Sequence, residues 1–224
     1  GPEQWRLFPA RQTGRQLMTG ATPSLSPKQV IERLRRPPTE GAPARGDHDL
    51  NPGMEPAQSL TPAAVLVPLV THLDGLTAMF TQRTDHLLHH AGQISFPGGH
   101  MDPGDDTPEE TALRETEEEV GLDRRHVEIV GHLDQYVTRT GFSITPVVAL
   151  VTLPFETHPD PEEVDEVFEV PLSFFLDPAN HQRHSREFES RTREFHAMPF
   201  GDYYIWGATA GMLINLYEVL NDGP

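Results

Sequence analysis

Apolar and polar positions follow two rhythms along this chain. Residues 63–70 are apolar and rich in β-branched side chains, an Asp74-Gly75 turn signal follows, and 77–82 resumes the pattern, which predicts a β-hairpin. Residues 93–96 predict a third short strand that runs into Pro97-Gly98-Gly99. Further strands are predicted at 127–133, 143–153 and 167–170, and a second hairpin from 188–196 with 203–206. A helical period takes over in three places. Ser26, a cap-type residue, precedes Pro27, and Val30, Ile31 and Leu34 share one side, so a short helix is predicted over about 27–36. A second helix starts at Thr107 and stops at Gly121. The third covers 208–220, where Met212, Leu213, Leu216, Val219 and Leu220 recur at helical spacing and predict packing on a sheet.

Pro37 and Pro38 end the first helix, and residues to about 62 are rich in Pro, Gly, Ala and acidic groups, the texture of a linker or long surface loop. The chain is thereby divided into an N-terminal extension, 1–62, and one domain, 63–220, in which strands and helices alternate. There is no internal repeat.

Charge narrows the partners. Lys plus Arg number 17 against 34 Asp plus Glu, and the net charge of −17 argues against nucleic acid as the main partner. An anionic small substrate would need something cationic between it and the protein, and a metal ion is the usual mediator. No apolar run is long enough for a membrane span, and the N-terminus lacks a secretory pattern; Gly1-Pro2 in place of Met reads as an expression scar. The absence of Cys fits a cytoplasmic protein and excludes thiolate metal sites.

The second helix carries the chemistry. Thr107 and Glu110 form a capping box with Pro108 at the first helical position. Glu115, Glu118 and Glu119 sit at i, i+3 and i+4, which brings three carboxylates to one face near the C-terminal end. Like charges at that spacing repel by roughly 0.2–0.5 kcal/mol, and anions near a helix C-terminus oppose the macrodipole by about 0.3–1 kcal/mol. A hard divalent cation with oxygen ligands would compensate, and Arg114 can pair with Glu118 to hold it in place. Taken alone, three glutamates on an acidic protein are as readily a solvated face, and Arg114 a surface ion pair of little value.

The surrounding residues decide between these readings. Arg114-Glu115-x-x-Glu118-Glu119-x-Gly121-Leu122 after a Gly-Gly loop resembles the core of the Nudix box. Gly99 to Arg114 is one position longer than the general box, and Asp105 or Asp106 stands where that box has Glu; this longer form resembles the coenzyme A diphosphatase branch. The run from Met79 to Gly99 resembles the signature preceding the box in that branch. It departs at Thr84, where the signature has Ser, and at Leu88, where it has Arg. Segments 140–148, 166–172 and 205–211 are also similar to that branch, so the resemblance covers roughly 63–220.

The resemblance implies a Nudix fold of α/β (α+β) class, a mixed β-sheet between α-helices, here with an N-terminal helical extension. It implies hydrolysis of the diphosphate of coenzyme A or a derivative, giving a 4′-phosphopantetheine product and adenosine 3′,5′-bisphosphate. ADP-ribose or a dinucleotide is the alternative substrate, which Leu88 keeps open, and a non-catalytic ligand-binding module ranks third. Mg²⁺ or Mn²⁺ would be held by Glu115 and Glu119, with Glu118 as third ligand or water-binding group, and Arg114 would orient them. Gly98, Gly99, His90 and Arg83 are placed against the substrate by the same resemblance. Pro97 matches a backbone carbonyl ligand, or is only a rigid turn residue. Glu163 and Glu166 lie in an acidic loop within reach of such a site, although no residue can be read as the general base. His89, Trp206 and Phe142 have simpler readings as structural or core residues. The partners expected are thus a small diphosphate molecule, no nucleic acid and no membrane, with a homodimer open.

Overall fold

The computed structural model describes residues 24–35, 44–84, 92–188 and 190–221. Helix α1 (Pro27–Leu34) is followed by strands β1 (Arg45–Gly46), β2 (Thr61–His72), β3 (Gly75–Arg83), β4 (Ile94–Ser95) and β5 (Gly98–His100), then helix α2 (Pro108–Val120). Next come β6 (Val127–His132), β7 (Tyr136–Val137), β8 (Phe142–Thr152), β9 (Val164–Pro171) and the single-turn helix α3 (Leu172–Phe175). Strands β10 (Gln182–Phe188), β11 (Arg191–Phe200) and β12 (Tyr203–Trp206) and helix α4 (Ala208–Asn221) complete the chain.

The centre of the fold is the parallel pair β2 and β8, in register from Thr61 opposite Phe142 to Thr71 opposite Thr152. Parallel neighbours covered on both faces read as continuous apolar runs, which is why 63–70 and 146–151 show little alternation. On one face Ala64, Leu66, Val147 and Ala149 meet Ala112 of α2, and Val70, Met79 and Val151 meet Val120 and Leu122 at its end. On the other, Val67, Leu69, Val148 and Leu150 join Phe80, Phe175, Leu213, Leu216 and Val30 in the largest core. Strands β3, β9 and β4 extend the sheet on one side, β6 and β7 pair with β8, and β5 folds back antiparallel on β2. The result is a mixed sheet between helices, the expected α/β class.

Three features differ from the sequence reading. The second hairpin is a three-stranded sheet, because β10 precedes it; Gln182–Phe188 is polar and mostly exposed, so it lacks the apolar alternation that marks a strand. Gly98–His100 is a strand rather than the start of a loop, paired with Ala63–Val65. Residues 44–60, read as linker, run against the domain. Strand β1 pairs in parallel with β7, Arg45 bonds Asp134 at 3.0 Å and also Glu218, and Asn51 bonds the Glu194 backbone in both directions at 3.0 Å. These contacts are all distant in sequence, so no local pattern announces them. Helix α1 starts at Ser26 as expected, with a capping box in which Ser26 accepts from the Gln29 amide, and it buries Val30 and Leu34. Among the described residues no helix is long and apolar enough to cross a membrane.

Candidate active site

Helix α2 is built as the sequence specifies at both ends. The Thr107 hydroxyl accepts from the Glu110 amide at 3.2 Å, and Gly121, at φ 67°, closes the helix with its amide donating to Glu117. The reciprocal half of the capping box is not made: the Glu110 carboxylate pairs with Arg124 at 3.3 Å instead. Two further carbonyls at the C-terminal end are capped from afar, Val120 by the His158 amide at 2.8 Å and Glu119 by the Asp160 amide at 3.0 Å. Those donors offset part of the negative helix end where the glutamates stand.

Arg114 organises the helix face. Its guanidinium reaches Asp105 at 2.9 and 3.1 Å, Glu115 at 3.0 Å and Glu118 at 3.0 Å, with Asp102 at 3.6 Å. Asp105 also accepts from the Thr111 hydroxyl and the Asp102 amide, and the hydrogen bonds from Arg114 hold its carboxyl well below the usual range. Of the two aspartates in the lengthened box, Asp105 is therefore the one that anchors the arginine. Arg114 orients Glu118, as the spacing indicates, but its main anchor is Asp105, and it spans Glu115 as well.

The three glutamates differ in environment. Glu119 is buried, accepts from the Gly98 amide at 3.1 Å and has Arg83 at 3.8 Å. Burial raises its pKa to about 7, with Glu115 and Glu163 adding to the rise and the Gly98 amide and Arg83 opposing it. Glu115 is half-buried and also raised, chiefly by burial, against the pull of Arg114. Glu118 is exposed and engaged by Arg114. Gly98 and Gly99 are required for close approach: a Cβ on Gly98 would lie 2.6 Å from the Val65 Cα, and one on Gly99 would lie 2.5 Å from Oε1 of Glu115. The Pro97 carbonyl accepts from the Leu66 amide at 2.9 Å and keeps one lone pair.

Arg83 stands between Glu119 and Glu163, 4.0 Å from the latter, and its buried Nε has no hydrogen-bond partner among the described residues. The Thr84 hydroxyl and amide fasten the end of β3 to the carbonyls of Glu162 and Glu163, which brings the acidic loop to the site. A Ser hydroxyl would make the same bond, so this departure from the signature is conservative. Glu166, by contrast, is taken by the Tyr203 hydroxyl at 2.7 Å. Trp206 packs on Phe195 and lies under Arg186 on the small sheet. Leu88, His89 and His90 lie outside the described residues.

Among the described residues no three His, Asp or Glu side chains converge closely enough to hold a metal ion as they stand; Arg114 fills the gap between Glu115 and Glu118. The donors nevertheless suit a hard divalent cation. They are oxygens only, and Glu119 and Glu115 are two adjacent carboxylates whose charged forms burial disfavours, a cost that a bound cation would offset.

A family model described as the NUDIX domain matches residues 60–191. The chain belongs to the Nudix family. It is 34% identical over 175 residues to a protein from Pectobacterium atrosepticum described as an uncharacterized Nudix hydrolase, NudL, covering 78% of this chain and 91% of the relative. It is 39% identical over 157 residues to the peroxisomal coenzyme A diphosphatase NUDT7 of Mus musculus, covering 67% of this chain and 66% of that one. A MutT/nudix family protein of solved structure from Enterococcus faecalis superposes with a TM-score of 0.47 at 17% identity, over 75% of this chain and 65% of its own. As a Nudix hydrolase the protein is an enzyme, and Nudix hydrolases work with divalent metal ions. The box of this Nudix hydrolase is thus a loop, β5 and α2, with Asp105 an anchor that a motif read residue by residue leaves undecided.

Proposed function

We propose that this Nudix hydrolase cleaves the diphosphate of coenzyme A or a derivative, with Mg²⁺ or Mn²⁺, giving a 4′-phosphopantetheine product and adenosine 3′,5′-bisphosphate. The observation that carries the substrate is the 39% identity over 157 residues to a coenzyme A diphosphatase, joined to a lengthened box in which Asp105 anchors Arg114. A cysteine-free chain is in keeping with the cytoplasm as its compartment.

Glu115 and Glu119, with Glu118, would hold the metal, and the Pro97 carbonyl has a lone pair to add. When bound, the ion supplies charge to polarise the diphosphate oxygens and acidify an attacking water. The chain's own residues do the rest. The water oxygen forms a bond to one phosphorus, the bridging anhydride bond to that phosphorus breaks, and the departing phosphate carries away the electron pair while the water proton passes to a base. Burial holds the Glu119 carboxyl at a pKa of about 7 without metal, and a bound cation would keep it ionised as a ligand. Arg83 presents guanidinium donors, loosely paired to Glu119 and Glu163, that suit a phosphate oxygen. Arg114 keeps Glu115 and Glu118 from splaying apart, and the Gly98 amide fixes Glu119.

ADP-ribose or a dinucleotide is the second reading, favoured by one residue: Leu88 removes the arginine found there in the branch signature. A Mg²⁺-dependent assay of coenzyme A, ADP-ribose and NADH, with products identified by mass, tests both. Preferential cleavage of coenzyme A to the two products named is expected. Preference for another substrate overturns the coenzyme A reading and leaves Nudix chemistry in place.

A further inference from the structure

Among the described residues, cavities also lie outside the carboxylate cluster. One, of about 30 Å³, is walled by Arg45, Asp47, Tyr136, Glu194 and His196 and has room for water only. Another is an open cleft of about 400 Å³, the size of a small-ligand site, lined by Gln82, Glu166, Phe200, Gly201, Asp202 and Tyr203.

The cleft opens at the end of β3 that carries Arg83, on the sheet face opposite α2. Gln82 is the neighbour in sequence of Arg83, which faces Glu119, and the β3–β9 register sets Gln82 opposite Glu166 with an irregularity before Arg83. Its walls are fixed. The Tyr203 ring stacks on Phe168 with centroids 3.7 Å apart, its hydroxyl donates to Glu166, and Phe200 packs edge-on against Phe174 at 4.9 Å. Among the described residues the chemistry of the lining is one-sided: two carboxylates, one primary amide and two aromatic rings, with no Lys or Arg. A phosphate or any other anion is repelled there, whereas a neutral chain with amide N–H groups finds acceptors in Glu166 and Asp202, a two-way partner in Gln82 and apolar contact on the rings.

We infer that this cleft seats the neutral, amide-bearing arm of the substrate, on the side of the diphosphate away from the nucleotide, and that its two carboxylates select against acyl groups ending in a carboxylate. Which arm is meant rests on the coenzyme A reading above. The selection is electrostatic and exposed to solvent, so it is worth roughly a fivefold difference in KM between a neutral and an acid-terminated acyl derivative of similar length.

Steady-state kinetics on the full chain with acetyl and malonyl derivatives of coenzyme A measure that ratio. Wild type is expected to show the higher KM for the malonyl derivative, the Glu166→Gln/Asp202→Asn double variant to bring the ratio towards one, and Asp202→Lys to bring it below one. A second readout needs no turnover: pantetheine, which has no diphosphate and no nucleotide, is titrated while backbone amide resonances are followed. Saturable shifts at Gly201, Asp202 and Tyr203 support the cleft. A ratio unchanged by the variants, or pantetheine shifts confined to other residues, overturns it. If no coenzyme A derivative is hydrolysed at all, the substrate reading fails, and the pantetheine titration alone still decides whether the cleft binds such an arm.

Discussion

The Gly98 amide donates to Oε2 of Glu119 at 3.1 Å, across a gap of 21 residues. That bond joins the Gly-Gly loop to the deepest carboxylate of α2 and fixes where a ligand oxygen can stand. Glu119→Gln keeps the volume and removes the charge. Turnover is expected to fall by more than the roughly 10–100-fold typical of residues that only support a metal ligand, with the circular dichroism spectrum unchanged. Activity equal to wild type would remove Glu119 from the metal site.

Gly99→Ala places a methyl group 2.5 Å from Oε1 of Glu115. The clash is with the end of a flexible side chain, so the fold survives and the carboxylate moves. A displacement of about an ångström at a reacting centre costs on the order of 100-fold in rate, and kcat is expected to fall by that amount with little change in Tm.

Asp105→Asn tests the anchor of Arg114 through pH. The carboxyl of Asp105 has its pKa depressed in the folded chain by Arg114, so its contribution to stability is complete above the unfolded carboxylate range, near ~4, and is lost as pH falls through the lower folded value. The Tm of the variant should therefore lie below wild type at pH 7, and the gap should close in acid. A gap independent of pH would show that Asp105 acts by packing rather than by charge.

Asn51→Ala probes how residues 44–60 are fixed to the domain. The amide of Asn51, itself buried, bonds the Asp47 and Glu194 carbonyls at 2.7 and 3.0 Å and accepts from the Glu194 amide. Its loss leaves Glu194 backbone groups without that partner, and a destabilisation of about 1–3 kcal/mol is expected in urea melts. Steady-state rates below the melt should match wild type.

Sequence alone determined the parts whose causes are local. Ser26 and Thr107 set helix starts, Gly121 sets a stop, and the i, i+3, i+4 spacing of Glu115, Glu118 and Glu119 sets a shared face, because each depends on backbone geometry within a turn or two. The apolar, β-branched runs of β2 and β8 marked them as strands for the same reason. Tertiary structure decided what depends on residues far apart. Whether a glutamate is buried like Glu119 or exposed like Glu118 follows from what packs over the helix, and the choice of Asp105 rather than Asp106 follows from where Arg114 can reach. The pairing of β1 with β7, the bonds from Thr84 to the 162–163 carbonyls and the cleft beside Gln82 are likewise meetings of segments tens of residues apart. A one-dimensional pattern records the period of a strand or helix, but the partner on the other side of a contact is set by how the whole chain packs.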